Sequence, residues 1–295
     1  MSNKKQTAKS FGDKWLSEAG RNFGKKEEVL EQFLSVLGVE KEDDLKEIFK
    51  DGMVCLDAGC GVGWAEEIFN VNDNVERYAV DISDSIEVAK KRTAHIKNVH
   101  IMRADIMNLP FEKEFFDIIF SNGVLHHTGD TEGYFTKLCE HLKKGGLIGV
   151  YIYNKKPFIR GLSDEFIRKH TTNLSFVECL DFSETLSKLG KAFQRIEDKL
   201  IIEDDIPLLG IKSGEYNLQS FIYDHFLKCF YNKVWGLDLS TSVNVDWYHP
   251  KAVTFHSIEE ITGWFKKNNI TKDIKILQPK GWEHSGWFVS GRKSV

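Results

Sequence analysis

Short apolar runs alternate with amphipathic stretches between residues 53 and 153 of the chain. The runs predict five strands, over residues 53–57, 75–80, 99–102, 116–121 and 147–153. The stretches predict helices over residues 83–93 and 134–142, the second of them ended by the basic, glycine-rich residues 143–146. Strands that alternate with helices in this way predict an α/β fold with a doubly wound, Rossmann-like sheet.

The pattern changes on both sides of this segment. Residues 25–50 predict one or two acidic amphipathic helices that cover an edge of the sheet. After Tyr153 the alternation stops for roughly a hundred residues, and a stripe with steps of three and four predicts a helix that packs into a core. The members of this stripe are Leu186, Leu189, Phe193, Ile196 and Leu200.

The strand and helix pattern resumes where Ser257 and Glu260 have the spacing of a capping box. Two more strands follow, which brings the predicted sheet to seven. We therefore expect three parts in the chain. They are an N-terminal helical segment and possible lid over residues 1–50, a core over 51–154 and 251–295, and a mostly helical substrate cap, inserted after the fifth strand, over 155–250.

Composition and charge restrict the partners and the compartment. Of 295 residues, 41% are hydrophobic and 28% charged, which is typical of a globular protein. Forty basic residues against 44 acidic ones give a net charge of −4, so no overall positive field favours nucleic acid or a membrane surface. The five cysteines have no paired spacing, and no apolar leader or membrane-length run is present. These features predict a cytoplasmic protein.

A glycine-rich turn follows the first predicted strand, from Asp57 to Trp64. Its spacing is GxGxG, so it fits neither the GxGxxG dinucleotide fingerprint nor a phosphate-binding P-loop. A second acid, Asp81, ends the next strand. A carboxylate there suits the two hydroxyls of a ribose, because it accepts hydrogen bonds from both.

At these residues the sequence resembles the class I S-adenosylmethionine-dependent methyltransferases. The resemblance lies in residues 54–63, Asp81, 103–106, 109–111 and 116–122, and covers about 50–153 and 257–290. It implies S-adenosylmethionine as cofactor, with its methionine part along the turn, its ribose at Asp81 and its adenine near 105–106. The predicted cofactor-binding residues are Asp57, Gly59, Cys60, Gly61, Gly63, Trp64, Asp81, Ile82, Asp105, Ile106 and Asn122.

Structural interpretations of these residues stay open. The glycines suit a tight turn, Asp81 suits a helix N-cap and Asp105 suits a solvated loop. A related fold that binds the cofactor without catalysis also fits.

Two adjacent histidines, His126 and His127, follow the fourth predicted strand, at the edge where sheet ligands bind. Either is a candidate general base, because neutral imidazole titrates near working pH. We favour His126, since neighbouring side chains of an extended segment diverge and one of the two is expected to face the acceptor. Packing or helix capping is the alternative role for each histidine. No metal-ligand spacing is present, so no metal is expected.

The acceptor has to be inferred from what surrounds this site. Base-methylating enzymes carry Asp/Asn-Pro-Pro-Tyr/Phe after this strand, whereas glycine and valine follow Asn122 here, so we expect a small acceptor and no nucleic acid. Cations and aromatics at the two ends of the insertion suit a phosphate, a carboxylate or a sugar ring, and suit a solvated helix face or packing equally. The predicted substrate residues are Tyr153, Lys155, Arg160 and Tyr248, with a further aromatic stretch over 282–287.

Residues 10–15 look like the Phe-Gly-x-x-Trp starts of methyltransferases from surface-polysaccharide clusters. The sequence thus predicts an O-methyltransferase for a small polar acceptor, such as a sugar or phosphorylated metabolite of surface-glycan synthesis. N-methylation of a small amine and a non-catalytic, cofactor-binding partner subunit are the alternatives. The sequence leaves the oligomeric state open.

Overall fold

The computed structural model describes residues 2–17, 26–278 and 285–295. The chain divides into two compact units. The first, which we call the sheet unit, contains residues 26–154 and 252–295. The second, the helical unit, contains residues 1–25 and 155–251. The N-terminal segment predicted over residues 1–50 is thus divided between the units, and residues 282–284 of the predicted aromatic stretch lie outside the described residues.

A seven-stranded sheet forms the centre of the sheet unit. The strands are β1 Val54–Ala58, β2 Glu76–Asp81, β3 Val99–Arg103, β4 Phe116–Asn122, β5 Leu142–Tyr153, β8 Ile270–Leu277 and β9 Gly286–Lys293. They lie in the order β3-β2-β1-β4-β5-β9-β8. The pairs from β3 to β5 are parallel, and β9 runs antiparallel to both β5 and β8. The seven-stranded, Rossmann-like sheet predicted from the sequence is confirmed.

Helices of the sheet unit cover the apolar strands. Their bounds are Lys26–Val36, Leu45–Ile48, Trp64–Ile68, Ile86–Thr93, Thr131–His141 and Ile258–Lys267. Helix Lys26–Val36 packs over the middle strands β4, β5 and β9, with the Phe33 ring 6.5 Å from that of Phe120. The prediction that this segment covers a sheet edge is therefore wrong. Its amphipathic pattern shows that one side is buried but not which strands bury it.

The fifth strand is longer than predicted. Strand β5 follows helix Thr131–His141 directly, so residues 143–146 belong to the strand and do not form a loop after the helix. Gly145 has a φ of 76° there, and the pairing of β4 with β5 shifts register between Phe116 and Ile118. This irregularity accommodates a glycine pair that a sequence pattern assigns to a turn.

The helical unit contains helices and a small hairpin. The helices are Asn3–Leu16, Phe158–Thr171, Phe176–Gln194, Leu218–His225 and Gly236–Tyr248. The stripe predicted as one helix is interrupted, because helix Phe176–Gln194 ends before Leu200, which lies in β6. Strand β6 (Lys199–Ile202) pairs antiparallel with β7 (Gly214–Asn217). The prediction of a helix through Leu200 is wrong, since steps of three and four can continue by chance past a helix end.

The N-terminal helix Asn3–Leu16 is bound to the end of the insertion within the helical unit. The Gln6 amide donates to the His249 carbonyl at 3.0 Å, and the Lys14 ammonium lies 2.5 Å from an Asp246 carboxylate oxygen. The predicted lid residues 10–15 lie inside this helix. Whether they cover the cofactor stays a prediction.

The insertion leaves and rejoins the sheet unit at one place. Asn154 and His256 form a parallel β-bridge, and the His256 amide donates to the Tyr153 carbonyl at 2.9 Å. The two ends of the segment 155–251 are thereby fixed next to each other.

All five cysteines are free thiols and buried. In the part of the chain that the structure describes, no helix combines the length and the apolar character needed to span a bilayer.

Candidate functional site

The glycine turn between β1 and helix Trp64–Ile68 has a backbone that only glycine adopts easily. Gly59, Gly61 and Gly63 have φ values of 101°, 53° and 81°. A Cβ on Gly59 would lie 2.2 Å from a Val124 side-chain carbon, so no larger residue fits there. Positive φ and missing side chains bring backbone N–H groups close to a ligand at this edge of the sheet.

Asp81, at the end of β2, faces this turn. One of its carboxylate oxygens accepts a hydrogen bond from the Gly61 N–H at 3.0 Å, and the other accepts from the Ser83 amide at 2.8 Å and the Ser83 hydroxyl at 2.7 Å. Since each carboxylate oxygen has two acceptor sites, Asp81 fixes the turn and keeps acceptor capacity for a ribose hydroxyl. The structure therefore brings Asp81 and Gly61 together.

Two buried acids flank the turn, Asp57 in β1 and Glu66 in helix Trp64–Ile68. Burial raises the pKa of Asp57 well above its usual range, and the charges of Glu66 and Asp81 raise it further. Burial also raises the pKa of Glu66 to about 7, although Arg77 lies 3.7 Å away and opposes this shift. A ligand with positive charge would relieve this repulsion. S-adenosylmethionine carries a sulfonium and an ammonium group, so these residues fit the cofactor.

The predicted adenine side of the site lies after β2 and β3. Asp105 caps a 3₁₀ turn by accepting from the Met107 amide, and it also accepts from the Tyr134 hydroxyl, both at 3.2 Å. Ile106 is buried in the core, whereas Ile82 keeps 38% of its surface exposed. An exposed isoleucine directly after the ribose acid offers an apolar surface for a flat ring.

Two further predicted cofactor residues, Cys60 and Trp64, belong to the turn, and a third, Asn122, ends the strand that pairs with β1. Cys60 is buried, and burial together with the charges of Asp57 and Asp81 raises the pKa of its thiol, so it is a filler and not a nucleophile. Trp64 begins the helix after the turn, with the Arg92 guanidinium carbon 4.0 Å from its ring. Asn122 is the half-buried last residue of β4.

The two histidines lie in a 3₁₀ turn, Leu125–His127, not in an extended segment. Their ring centroids are 4.5 Å apart, so the expectation that neighbouring side chains diverge is wrong here. A turn of three residues keeps consecutive side chains closer than a strand does. His126 is fully buried and stacks on Tyr153 with 3.7 Å between the ring centroids.

A backbone carbonyl orients the second histidine. His127 Nδ1 lies 3.1 Å from the Ala252 carbonyl oxygen. Because a carbonyl only accepts, the neutral ring that makes this bond carries its proton on Nδ1 and its lone pair on Nε2. The carbonyl of His126 accepts from the Thr254 amide at 2.8 Å, so the segment after the insertion contacts both histidines.

The predicted substrate residues fall in both units. Tyr153 belongs to the sheet unit, where it stacks on His126. Lys155, Arg160 and Tyr248 belong to the helical unit. Lys155 is exposed, whereas Arg160 and Tyr248 are buried and both donate to the carboxylate of Asp164, at 2.8 and 3.0 Å.

Several residues of these sites were not predicted. Next to the predicted cofactor residues these are Ser83, Glu66 and Tyr134. In the helical unit, Asp164 accepts hydrogen bonds from the predicted substrate residues Arg160 and Tyr248. The spacing of Arg160 and Asp164, four residues apart, could have indicated an ion pair on a helix. The contact of Ser83 with Asp81 is also local, since the two residues are two positions apart. Tyr134 and Asp105 are 29 positions apart, and their contact leaves no local signal.

Known proteins with similar sequences indicate the family of this chain. A family model described as a methyltransferase domain matches residues 49–199. A demethylmenaquinone methyltransferase of Staphylococcus saprophyticus is 30% identical over 201 residues, which cover 60% of this chain and 79% of that protein. A phosphoethanolamine N-methyltransferase 2 of Caenorhabditis elegans is 29% identical over 110 residues, covering 36% and 25%. A malonyl-[acyl-carrier protein] O-methyltransferase 2 of Ilyobacter polytropus is 27% identical over 191 residues, covering 62% and 68%.

The matches are partial in length, and the chain spans from a quarter to about half of several curated relatives. The family match nevertheless covers more than half of the chain and includes the glycine turn, Asp81 and both histidines. The chain belongs to the family of class I S-adenosylmethionine-dependent methyltransferases.

Proposed function

We propose that this chain binds S-adenosylmethionine at the glycine turn and transfers its methyl group to an oxygen of a small polar acceptor, such as a sugar or a phosphorylated metabolite. The observation that carries the acceptor chemistry is the bond from His127 to the Ala252 carbonyl. An acceptor hydroxyl has to lose its proton, and in the tautomer that makes this bond Nε2 of His127 carries the lone pair that accepts a proton.

The cofactor, when bound, supplies an electrophilic methyl group. The backbone of Gly59 and Gly61 and the carboxylate of Asp81 position it, and the buried acids Asp57 and Glu66 favour its positive charge. Methyl transfer from a sulfonium is an in-line displacement, so alignment and exclusion of water contribute most. His126, Ile106 and Leu125 are buried, which suits a site closed to water.

His127 then acts as the general base in this proposal. Nε2 of His127 would accept the proton of the acceptor O–H as the oxygen takes up the methyl group, and the sulfonium would leave as the thioether of S-adenosylhomocysteine. His126 supports Tyr153 by stacking and holds Thr254 through its carbonyl. The geometry thus favours His127 for the role that sequence position alone gives to His126.

Two glutamine variants, His127→Gln and His126→Gln, test this assignment. Purified protein is incubated with S-adenosylmethionine and a panel of sugars, sugar phosphates and small amines, and release of S-adenosylhomocysteine is measured. Calorimetry with both cofactor forms gives their affinities. We expect His127→Gln to lower kcat by roughly 100-fold or more at unchanged cofactor affinity, because a lost general base has an effect of this size. His126→Gln is expected to have the smaller effect.

Each other result contradicts a defined part of the proposal. A larger loss in His126→Gln gives the base role to His126. Full activity in both variants removes the base step, as for a phosphate or carboxylate acceptor. Turnover with amines alone shows N-methylation, which the name of one relative also includes. Binding of S-adenosylmethionine without turnover on any acceptor favours a partner subunit, and no binding overturns the whole proposal.

A further inference from the structure

The two carboxylate oxygens of Asp81 have different hydrogen-bond partners. Oδ1 accepts from the Ser83 amide at 2.8 Å and from the Ser83 hydroxyl at 2.7 Å. Oδ2 accepts from the Gly61 amide at 3.0 Å, and within the described chain this is its one hydrogen bond. Each oxygen of a carboxylate has about two lone-pair positions. Both positions of Oδ1 are therefore filled, whereas Oδ2 keeps one for a ligand.

A second hydroxyl fixes the direction of the bond between Ser83 and Asp81. The hydroxyl oxygens of Ser83 and Ser85 lie 2.7 Å apart, and the distance alone allows either to donate. Because a carboxylate only accepts, the single proton of the Ser83 hydroxyl goes to Asp81. The Ser85 hydroxyl then donates to Ser83, and the Ser85 amide adds a longer bond of 3.4 Å. Each serine hydroxyl thus has a defined orientation.

This chain of hydroxyls begins at a helix. Ser85 is the N-cap residue of helix Ile86–Thr93, and its carbonyl accepts from the Val88 and Ala89 amides at 2.9 and 3.0 Å. Both serines are buried, with 4% of Ser83 and 0% of Ser85 exposed. Hydrogen bonds between buried groups are stronger than those that compete with water. The helix start therefore fixes the orientation of the Asp81 carboxylate before a ligand arrives.

The remaining position on Oδ2 limits what Asp81 can accept from a ribose. A ribose offers two adjacent hydroxyls, and a carboxylate with both oxygens accessible accepts from both. Here one hydroxyl can donate to Oδ2, whereas a second would have to displace the Ser83 hydroxyl from Oδ1. Displacement would leave a buried serine hydroxyl without its acceptor, which is unfavourable.

We propose that Asp81 recognises only one of the two ribose hydroxyls of S-adenosylmethionine, and that Ser83, supported by Ser85, is the positioning residue that keeps the other carboxylate oxygen occupied. This inference rests on the proposed binding of the cofactor at the glycine turn. It narrows the expectation from the sequence, in which the carboxylate accepts from both hydroxyls. Ser83 acts through Asp81 and is therefore not a catalytic residue.

Calorimetry on the full chain tests the proposal with three ligands, S-adenosylhomocysteine and its 2′-deoxy and 3′-deoxy analogues. Each analogue lacks one ribose hydroxyl, and none of the three needs a methyl acceptor. For the parent chain we expect one analogue to bind within about threefold of S-adenosylhomocysteine and the other to bind roughly tenfold or more weaker, because a hydrogen bond to a charged group has an effect of this size.

Three variants test the role of Ser83. Ser83→Ala opens the position on Oδ1 to the second hydroxyl, so we expect the affinity ratio of the two analogues to fall to about threefold or less. Ser83→Thr keeps the hydroxyl and is expected to keep the ratio of the parent. Thr93→Val is the matched control, because it removes a buried hydroxyl that donates to the Ala89 carbonyl and not to Asp81. A merely structural Ser83 would weaken all three ligands equally in Ser83→Ala and leave the ratio unchanged.

Each of the other results overturns the proposal. Equal weakening of both analogues in the parent means that Asp81 accepts from both hydroxyls, and full affinity of both means that it accepts from neither. An equal ratio in Ser83→Ala and the parent removes the positioning role. If the parent binds neither S-adenosylmethionine nor S-adenosylhomocysteine, the proposed function fails together with this inference. Binding of both without discrimination between the analogues overturns this inference alone.

Discussion

The interactions inside the sheet unit differ in kind from the interactions inside the helical unit. In the sheet unit, fully buried aliphatic and aromatic side chains fill the space around the strands, as where Phe69 meets Phe120 edge to face at 5.1 Å. In the helical unit, buried polar groups join the helices, such as Asn244 to Ser187 at 2.8 Å and Trp247 to Asp164 at 2.8 Å. The difference explains why hydrophobic periodicity predicts the strands and helices of the sheet unit well and those of the helical unit poorly.

The largest expected effect concerns the polar contacts of the helical unit. Asp164→Ala leaves the Arg160 charge buried without its partner and removes the acceptor of two ring donors, so we expect a loss of about 3–5 kcal/mol in the free energy of unfolding. Urea unfolding measures the loss, and hydrogen–deuterium exchange shows whether peptides of residues 155–251 lose protection first. Glu165→Ala, which removes an exposed ion pair with Lys169, is the control. A similar small loss in both variants would remove the contrast between the units.

An intermediate effect tests whether the sheet unit also depends on a buried charge. Burial raises the pKa of Glu66 from 4.5 to about 7. Between these values the unfolded chain releases the proton first, so the stabilisation by protonated Glu66 is complete below about pH 4.5 and is lost as pH rises through 7.

Glu66→Gln should therefore flatten this part of the pH profile and be more stable than the parent by about 2–3 kcal/mol above pH 7. Chemical denaturation across this pH range provides the measurement. Glu67→Gln is the control, because Glu67 follows Glu66 in the same helix, is partly exposed and pairs with Arg92 of helix Ile86–Thr93. A parent chain whose stability does not fall between these pH values would show that Glu66 is ionised in the folded state.

The smallest effect should be equal in the two units. Ser175 and Ser257 each form a complete capping box, at the starts of helices Phe176–Gln194 and Ile258–Lys267. We expect Ser175→Ala and Ser257→Ala each to cost about 1 kcal/mol, because a cap is a local interaction that does not depend on the core behind it. Thermal unfolding of both variants measures this. A twofold difference between them would mean that the surrounding unit changes the value of a cap.

The sequence predicts the sheet and the glycine turn because both depend on local patterns. The strands are apolar runs, and the glycine spacing with Asp81 is a motif read along the chain. The capping box at Ser257 is equally local, and the helix begins there.

The remaining features depend on contacts between distant residues. Strand β6 begins where the apolar residues still have helical spacing, so the spacing does not indicate the hairpin. The tautomer of His127 depends on Ala252, which is 125 positions away. The side chains of Lys156 and Lys228 meet at the Trp247 ring, although the three residues come from separate parts of the insertion. Sequence reasoning found Arg160 and Tyr248 as polar candidates, but their common partner Asp164 becomes visible only in the folded chain.

The fixed ends of the insertion make it an exchangeable module. Because Asn154 and His256 are bridged, a replacement for residues 155–251 has only to begin and end at neighbouring points, and its length adds little closure entropy. Helix Asn3–Leu16, which belongs to the same unit, would have to be exchanged together with it. An exchange at these two junctions leaves the strands and the glycine turn of the sheet unit unchanged in sequence, which offers a route to recombinant methyltransferases.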